Sequence, residues 1–357
     1  MPQYTIFKNL NLQTDKFTNT NKLTVGLFNN GAGTLNASSM ATASVSASNK
    51  SYYYTVTQDS GTVGVKYFDL SYGHVDNDGA SSTDNLNVTK AIYKQYANII
   101  LDDPLKKFTF ADVSGSDSGT ERDDIYILNI KSAKMKDRAH TKWTLTLSGS
   151  DAAGDGSTLH LTNYTSSRQS SIAGDFYDII SGSAGVPGTS VASTTYGHFY
   201  PSIGVIVLSA TKLSASLPGT AGYTNSGSSA GYYTGVGQGF AVDSRTDGNA
   251  DNAGKFADIL LNNASSIVMR SEQDLNQSTY YCRLFNQEFN FTSNPTFLKS
   301  GSALGDIRSD QVGDPTVYLS GIGLYNDFNE LIAVAKLNQP VKKNFSNEAN
   351  VVVKIDG

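Results

Sequence analysis

The side chains best suited to chemistry are scattered along the chain. The histidines are His74, His140, His160 and His198. No two of them have the spacing of a helical zinc motif, so we expect structural or exposed histidines and no metal ligands. The single cysteine, Cys282, lies in the aromatic stretch YYCRLF, which favours burial as a small apolar side chain.

Three short segments resemble functional motifs only in part. GSDSGT at residues 115–120 is similar to a serine-protease sequence but lacks the following Gly-Gly-Pro, so we interpret it as a turn. The acidic loop 112–124 departs from calcium-loop spacing, including the terminal glutamate, which leaves adventitious calcium binding open. GVGQGF at 235–240 lacks the preceding strand and following helix of a dinucleotide site.

A glycosidase with a pair of catalytic carboxylates stays an open alternative. The two residues of such a pair meet only in the folded structure, and no two acidic residues stand out in the sequence. Apart from that alternative, no set of residues supports catalysis. We therefore predict a protein with no enzymatic activity, no cofactor and no metal centre.

Composition narrows the class of protein. The chain has 357 residues, a net charge of −5 and no basic block, so we expect no nucleic-acid partner. Its apolar runs are shorter than the roughly 20 residues of a membrane span, so we expect no membrane insertion. The start of the chain shows no secretory signal, and one cysteine cannot form an intramolecular disulfide, so we expect synthesis in a cytoplasm.

Charged residues make up 17% of the chain, which also contains 33 glycines and 20 tyrosines. Typical soluble domains have about 25% charged residues. Two interpretations stay open: a β-rich protein that functions inside an assembly, or an ordinary surface on which Ser, Thr and Asn replace charges.

Hydrophobic periodicity predicts a β-rich α+β fold with antiparallel sheets, one or two helices and long Gly/Ser-rich loops. The clearest helix is Val88–Leu101, with Ile92, Tyr96, Ile99 and Ile100 on one face and Asn87 or Thr89 as the N-cap. A second helix is predicted in AGKFADILLNN. The strands expected with most support are YYYTVTQ, VKYFDLSYGHV, DIYILNIK, KWTLTLSG and GVIVLSA.

Three segments follow along the chain. Residues 1–60 are predicted as an extended arm and linker, because they include the Ser/Ala/Gly/Thr tract of residues 31–51. Residues 61–270 are predicted as a central β-rich α+β domain. Residues 271–357 are predicted as a C-terminal antiparallel β module.

The most regular apolar stretch is in this last segment. Val317–Tyr325 and Leu331–Leu337 flank the turn NDFN and predict a hairpin in which small residues allow another backbone to approach. The residues expected in its core or in a subunit interface are Gly321, Ile322, Gly323, Leu324, Tyr325, Leu331, Ile332, Val334 and Leu337.

This segment also carries a family resemblance. RSEQDLNQSTYYCRLFNQEFNFTSNPTF, then DPTVYLSGIGLYNDFNELIAVAKLNQPVKK, then VVVKIDG resemble a module in virion structural proteins of contractile-tailed bacteriophages that infect cyanobacteria and other marine bacteria. VKYFDLSYGHVD, TKAIYKQYANIIL, DDIYILNIK and YGHFYPSIGVIVL resemble the same module in the same order, so the resemblance covers residues 63–357. The ending KIDG departs from the more hydrophobic final residue expected of the family.

The resemblance implies a structural role in the tail, in the baseplate or fibre-attachment region, without enzymatic activity. It also implies multiple copies in the particle, other tail proteins as partners, and assembly in the host bacterial cytoplasm. Two alternatives stay open: a receptor-binding or glycan-degrading tailspike, suggested by the Gly/Ser/Tyr-rich residues 150–250, and a head or neck structural protein.

Overall fold

The computed structural model describes most of the chain. The described residues are 7–28, 33–36, 40–47, 50–58, 65–77, 79, 87–113, 117–130, 135–150, 156–188, 194–214, 252–261, 265–300 and 306–356. Much of the predicted loop region, including GVGQGF, lies outside them, as does part of GSDSGT.

The protein is β-rich, with 51% strand, 12% helix and antiparallel sheets, which confirms this part of the predicted fold class. The helices are α1 (Val88–Leu101), α2 (Ala210–Ser214) and α3 (Asn252–Leu261). None of these described helices combines the length and hydropathy that crossing a membrane requires.

The strands run through the whole described chain. They are β1 (Lys16–Gly26), β2 (Thr34–Asn36), β3 (Met40–Ala47), β4 (Lys50–Gln58), β5 (Lys66–His74), β6 (Phe108–Thr109), β7 (Glu121–Arg122), β8 (Asp124–Ile130), β9 (Arg138–Ala139), β10 (Thr144–Ser150), β11 (Gly156–Asn163), β12 (Gln169–Ser171), β13 (Gly174–Ser183), β14 (Val186–Pro187), β15 (Gly197–Tyr200), β16 (Val205–Ser209), β17 (Ser266–Val268), β18 (Arg270–Leu284), β19 (Val317–Tyr325), β20 (Leu331–Lys343) and β21 (Ala349–Asp356).

The chain folds into two compact units. The terminal unit contains residues 1–22 and 274–357, and the central unit contains residues 23–273. This division differs from the three predicted segments. Residues 1–60 contain four strands in place of an arm and linker, and the boundary at 22/23 falls inside β1. The Ser/Ala tract forms β3 because its backbone pairs with β4 from Met40 to Ala47.

A 13-stranded sheet forms the central unit. Its strand order is β2-β17-β10-β11-β13-β15-β16-β8-β5-β4-β3, with β12 and β14 also paired to β13. Every pairing with a defined register in this sheet is antiparallel.

The middle strands β8 and β16 are buried on both faces. Side chains alternate across a strand, so consecutive apolar residues serve two different cores. One core takes Ile125, Ile127, Val205 and Val207. The other takes Tyr126, Leu128, Ile206 and Leu208. This explains why DIYILNI and VIVLS are almost uninterrupted apolar runs.

Helix α1 covers the first of these faces. It has the predicted bounds, but its buried side chains are Thr89, Tyr93, Ala97 and Ile100. Ile92 and Tyr96 are partly buried beside this core, whereas Ile99 is exposed, so the predicted face was wrong at that position. The N-cap is Asn87, but its side chain makes no capping hydrogen bond.

The close approach of Tyr93 to β5 sets the rotation of α1. A Cβ on Gly73 would lie 3.0 Å from the Tyr93 nitrogen, so the missing side chain of this glycine makes room for the helix backbone. The Tyr93 hydroxyl donates to the Arg122 carbonyl at 2.7 Å and accepts from the Phe108 nitrogen at 2.9 Å. Burial raises the pKa of Tyr93 to about 12, which keeps this hydroxyl neutral.

Helix α3 belongs to the core on the opposite face. Its Phe256 ring stacks on Tyr126 of β8 at a centroid distance of 4.9 Å. Ala253, Ala257 and Leu260 lie in the same core. The second helix predicted from AGKFADILLNN is therefore present.

The terminal unit is built on strand β18. Residues Gln277–Leu284 of β18 pair antiparallel with β21, and β1 pairs along the other edge. The hairpin of β19 and β20 packs on this sheet through a small core of Cys282, Val351 and Val353.

The N-terminal residues pack on the same unit. Leu10 contacts the small core, the Phe7 ring meets Tyr325 at 5.2 Å, and Lys8 Nζ lies 2.6 Å from Glu288 Oε2. Residues 7–22 are therefore an integral part of the terminal unit.

We predict that Gly197→Ala destabilises the central unit strongly. A Cβ at Gly197 would lie 1.9 Å from the Val207 carbonyl oxygen in the paired strand β16, so β15 and β16 would have to separate. We expect a loss of about 3 kcal/mol, measured from the urea dependence of unfolding.

Gly188→Ala is the control, because the nearest atom to its Cβ would be the Ser181 oxygen at 3.7 Å, an ordinary contact. Equal unfolding midpoints for the two variants would contradict the packing of β15 on β16.

Candidate interaction surface

Acidic residues of the loop 112–124, for which adventitious calcium binding was left open, are neutralised by protein cations. Lys212 Nζ lies 2.7 Å from Asp112 Oδ1 and 3.2 Å from Asp117 Oδ2, and Arg122 also pairs with Asp117. The remaining Asp117 oxygen accepts from the Thr120 nitrogen at 2.8 Å and the Gly119 nitrogen at 3.0 Å. These bonds, with that from Thr120 first, hold the pKa of Asp117 far below its usual range.

The other carboxylates of this loop have structural partners as well. Lys107 Nζ lies 2.7 Å from Asp123 Oδ1 and 3.8 Å from Glu121 Oε2. Asp124 is buried and accepts a hydrogen bond from the Thr211 hydroxyl at 2.8 Å, and burial raises its pKa. Within the described residues, no group of three or more His, Cys, Asp or Glu side chains is placed to hold a metal ion.

The histidines lie apart from one another on the strands of the central unit or beside them. His198 Nε2 lies 3.3 Å from Asp178 Oδ1, opposite it on β13, and His140 Nδ1 lies 3.9 Å from Glu272 Oε2. Cys282 is buried in the small core of the terminal unit, where desolvation raises the pKa of its thiol. A buried thiol with a raised pKa is a poor nucleophile.

The β19–β20 hairpin offers a different kind of site. Its antiparallel register pairs Ile322 with Ala335 and Leu324 with Ala333. Directly opposite residues share a face, and the small alanines leave room for the larger side chains to reach the sheet below. Ile322, Leu324, Ala335 and Leu337 pack against the small core, which defines the inward face of the hairpin.

The opposite face of the hairpin, which we term the outward face, is exposed and largely apolar. Its apolar side chains are Tyr318, Tyr325, Leu331, Ile332 and Val334. Val334 is 70% exposed and Ile332 is 65% exposed, values unusual for aliphatic side chains in a regular strand.

A β-bulge enlarges this face. Between Leu324 and Tyr325 the register shifts from Ala333 to Leu331, so β20 carries one extra residue there. Two consecutive residues, Leu331 and Ile332, are consequently exposed together. Tyr325 and Leu331 lie over Gly323, whose missing Cβ would be 3.0 Å and 3.1 Å from their side chains.

The nine residues predicted as core or interface are thus divided between two environments. Ile322, Leu324 and Leu337 lie on the inward face, and the structure places them against the small core. The remaining six are exposed in this chain: Gly321, Gly323, Tyr325, Leu331, Ile332 and Val334. A role for those six in an interface stays a prediction.

Exposed apolar side chains are concentrated in the terminal unit as a whole. Most of the large apolar side chains that are exposed among the described residues belong to it. Besides the outward face they include Phe7, Leu12, Phe17, Phe285, Phe291, Val312, Phe328 and Val352. An excess of exposed apolar side chains in one unit favours an interaction surface there.

Polar contacts fix both ends of the hairpin. At the turn, Asn326 Oδ1 accepts from the Phe328 and Glu330 nitrogens at 3.0 Å and 2.8 Å. At the base, Lys343 is buried and donates to the Asn286 and Asn344 carbonyls and to Asn290 Oδ1, between 2.8 and 3.0 Å. Burial lowers the pKa of Lys343, but these three acceptors satisfy its ammonium group.

Sequence reasoning missed Tyr318 and Phe328 as part of the exposed apolar set. Phe328 is 84% exposed at the tip of the turn. The exposure of Phe328 could have been predicted from the sequence, because it is an aromatic residue in a turn otherwise made of Asn and Asp, and such turns are usually polar.

No family model, curated protein or solved structure matches this chain.

The two faces of the hairpin predict opposite responses to the same substitution. Leu324→Asp places a carboxylate against the small core, so we expect it to unfold the terminal unit, at a cost of several kcal/mol. Val334→Asp replaces a largely exposed side chain, so we expect near-native stability. Hydrogen exchange of the β18 and β21 amides measures both effects, and protection lost in the Val334 variant alone would contradict the assignment of faces.

The cluster around Asp117 predicts a pH-dependent stability. A carboxyl whose pKa is lower in the folded state stabilises the fold above the unfolded pKa of about 4, and this contribution is lost as pH falls toward the folded value. We expect Asp117→Asn to cost about 2 kcal/mol at pH 7 and about half of that at pH 2.5, which lies between the folded and the unfolded pKa, measured by urea unfolding.

Asp310→Asn is the matched control for this experiment. The pKa of Asp310 is also lowered, chiefly by its hydrogen bond from Arg308, but both side chains are exposed. We expect almost no change at either pH. A pH-independent loss in the Asp117 variant would contradict the electrostatic origin of its effect.

Proposed function

We propose that this chain is a non-enzymatic structural component of a bacteriophage contractile tail, in the baseplate or fibre-attachment region. In this proposal it acts through subunit packing, in multiple copies and together with other tail proteins, after synthesis in the host cytoplasm. The observation that carries the packing role is the exposed apolar outward face of the hairpin. The tail assignment comes from the resemblance of residues 63–357 to virion proteins.

Three features favour packing over catalysis. Acidic residues of the loop 112–124 are paired with lysine, arginine or a hydroxyl, which supports a structural role for that loop. The described histidines are distributed over separate positions of the central unit. Among the described residues, the large apolar side chains that are exposed lie mainly in the terminal unit, whose hairpin packs on the small core of Cys282, Val351 and Val353.

This small core gives a physical reason for assembly. Burial of apolar surface contributes about 25 cal/mol per Å², and a unit that buries few side chains gains little stability from its own core. Covering the outward face with another subunit would add apolar burial at Ile332, Val334 and Tyr325. Assembly and stability of the terminal unit are therefore coupled in this proposal.

Complementation of a phage that lacks the gene tests the proposal. We expect the unaltered chain to restore complete tails, counted by electron microscopy, and Val334→Asp to reduce their number at least tenfold although the protein folds. Lys354→Glu, at an exposed position on β21, is the control that should restore tails.

Two results would contradict the proposal. Complete tails in the absence of the gene product would exclude a required structural role. Normal tails that fail only to adsorb to cells or to cleave host glycans would favour the receptor-binding or tailspike alternative, and defective heads with normal tails would favour the head or neck alternative.

A further inference from the structure

The outward face carries a polarised set of charges in addition to its apolar side chains. Strands β19 and β20 contain lysines and no acidic residue, and Lys336 and Lys342 are the exposed ones. The acidic residues Asp327 and Glu330 are in the turn at the far end of the hairpin, and both are exposed. The hairpin is thus negative at its tip and positive along its strands.

The register fixes where the lysines point. Lys342 pairs with Tyr318 and Lys336 pairs with Gly321, and these partners are exposed on the outward face. Lys336 is two residues from Val334 on the same strand, so both side chains extend to the same side. In the described part of the chain, neither lysine forms an ion pair with Asp327, Glu330 or another acidic residue.

We propose that the outward face binds the outward face of a second copy of this chain, related by a two-fold axis near the Gly323–Val334 pair. This inference rests on the subunit-packing role proposed above and names its partner. A two-fold axis makes the contact self-complementary, so that each apolar side chain near the axis meets apolar side chains of the other copy.

The charge pattern selects this arrangement. From Val334, the acidic turn begins about four residues away in one direction, or roughly 13 Å along the strand. In the other direction the register shifts between Leu319 and Gly321, so that Lys336 and Lys342 lie opposite Gly321 and Tyr318, two and five β19 residues from Gly323, or roughly 7 and 17 Å. We place the axis so that the two hairpins run in opposite directions. Asp327 and Glu330 of each copy then lie over the two lysines of the other, and the same contact forms twice in the dimer.

Parallel stacking of the two hairpins would oppose like charges. It would place lysine over lysine along the strands and Asp327 over Asp327 at the tips, which costs affinity. Gly321 keeps its part of the β19 face free of a side chain, which suits sheet-on-sheet packing at about 10 Å.

Charge reversal in the purified full-length chain tests the proposal. We expect a concentration-dependent dimer in sedimentation equilibrium. The double variant Asp327→Lys/Glu330→Lys should weaken it about tenfold or more, and so should Lys336→Glu/Lys342→Glu. Combining all four substitutions in one chain should restore affinity to within about threefold of the unaltered protein, because unlike charges meet again.

Lys354→Glu is the control for a charge change on an exposed strand outside the hairpin, and it should leave the dimer unchanged. Val334→Asp should abolish the dimer while thermal unfolding shows a folded monomer. Circular dichroism of every variant separates lost association from lost folding.

Three outcomes would overturn the inference: a monomer at all concentrations, a dimer insensitive to Val334→Asp, or a quadruple variant that is folded but does not recover its dimer affinity. A monomeric chain that still restores phage tails would overturn self-association and leave the proposed function standing. A charge-dependent dimer whose loss leaves tails intact would support self-association and count against the proposed function.

Discussion

The structure of the terminal unit depends on a hairpin that is buried on one face only. β19 and β20 present Ile322, Leu324 and Leu337 to the small core of the terminal unit, while the other face holds comparably apolar side chains in solvent. A two-stranded ribbon is at best marginally stable alone, so this hairpin relies on the sheet of β18 and β21 beneath it. The asymmetry between its faces is the physical basis for the proposed role in assembly.

In the central unit, by contrast, the middle of the sheet is buried on both faces. Its middle strands are apolar at consecutive positions because helix α1 lies on one side of the sheet and helix α3 on the other. Several of its polar groups are paired, as with Tyr93 between Phe108 and Arg122, or Asp117 between Lys212, Arg122 and the Thr120 backbone. Such a unit has the properties of a rigid scaffold. The ion pairs within it account for the acidic residues of the loop 112–124, which in the sequence alone suggest a cation-binding site.

Much of the fold could be predicted from local pattern. The 3.6-residue period located α1 to the residue, and the apolar runs located β8 and β16. Rotation of α1 could not be predicted, because the close contact at Gly73, which buries Tyr93 and leaves Ile99 exposed, involves another strand. The Ser/Ala tract was misinterpreted as a linker because composition does not report backbone pairing between β3 and β4. On the hairpin, the sequence analysis grouped nine residues as core or interface without dividing them between two faces, and the bulge that exposes both Leu331 and Ile332 depends on register.

Cryo-electron microscopy of the assembled particle, at a resolution that shows side chains, tests the central claim most directly, since that claim is that protein covers the outward face. The account predicts density packed against Ile332, Val334 and Tyr325, contributed by a neighbouring subunit. A particle in which this chain is ordered and the outward face of every copy borders solvent would contradict it.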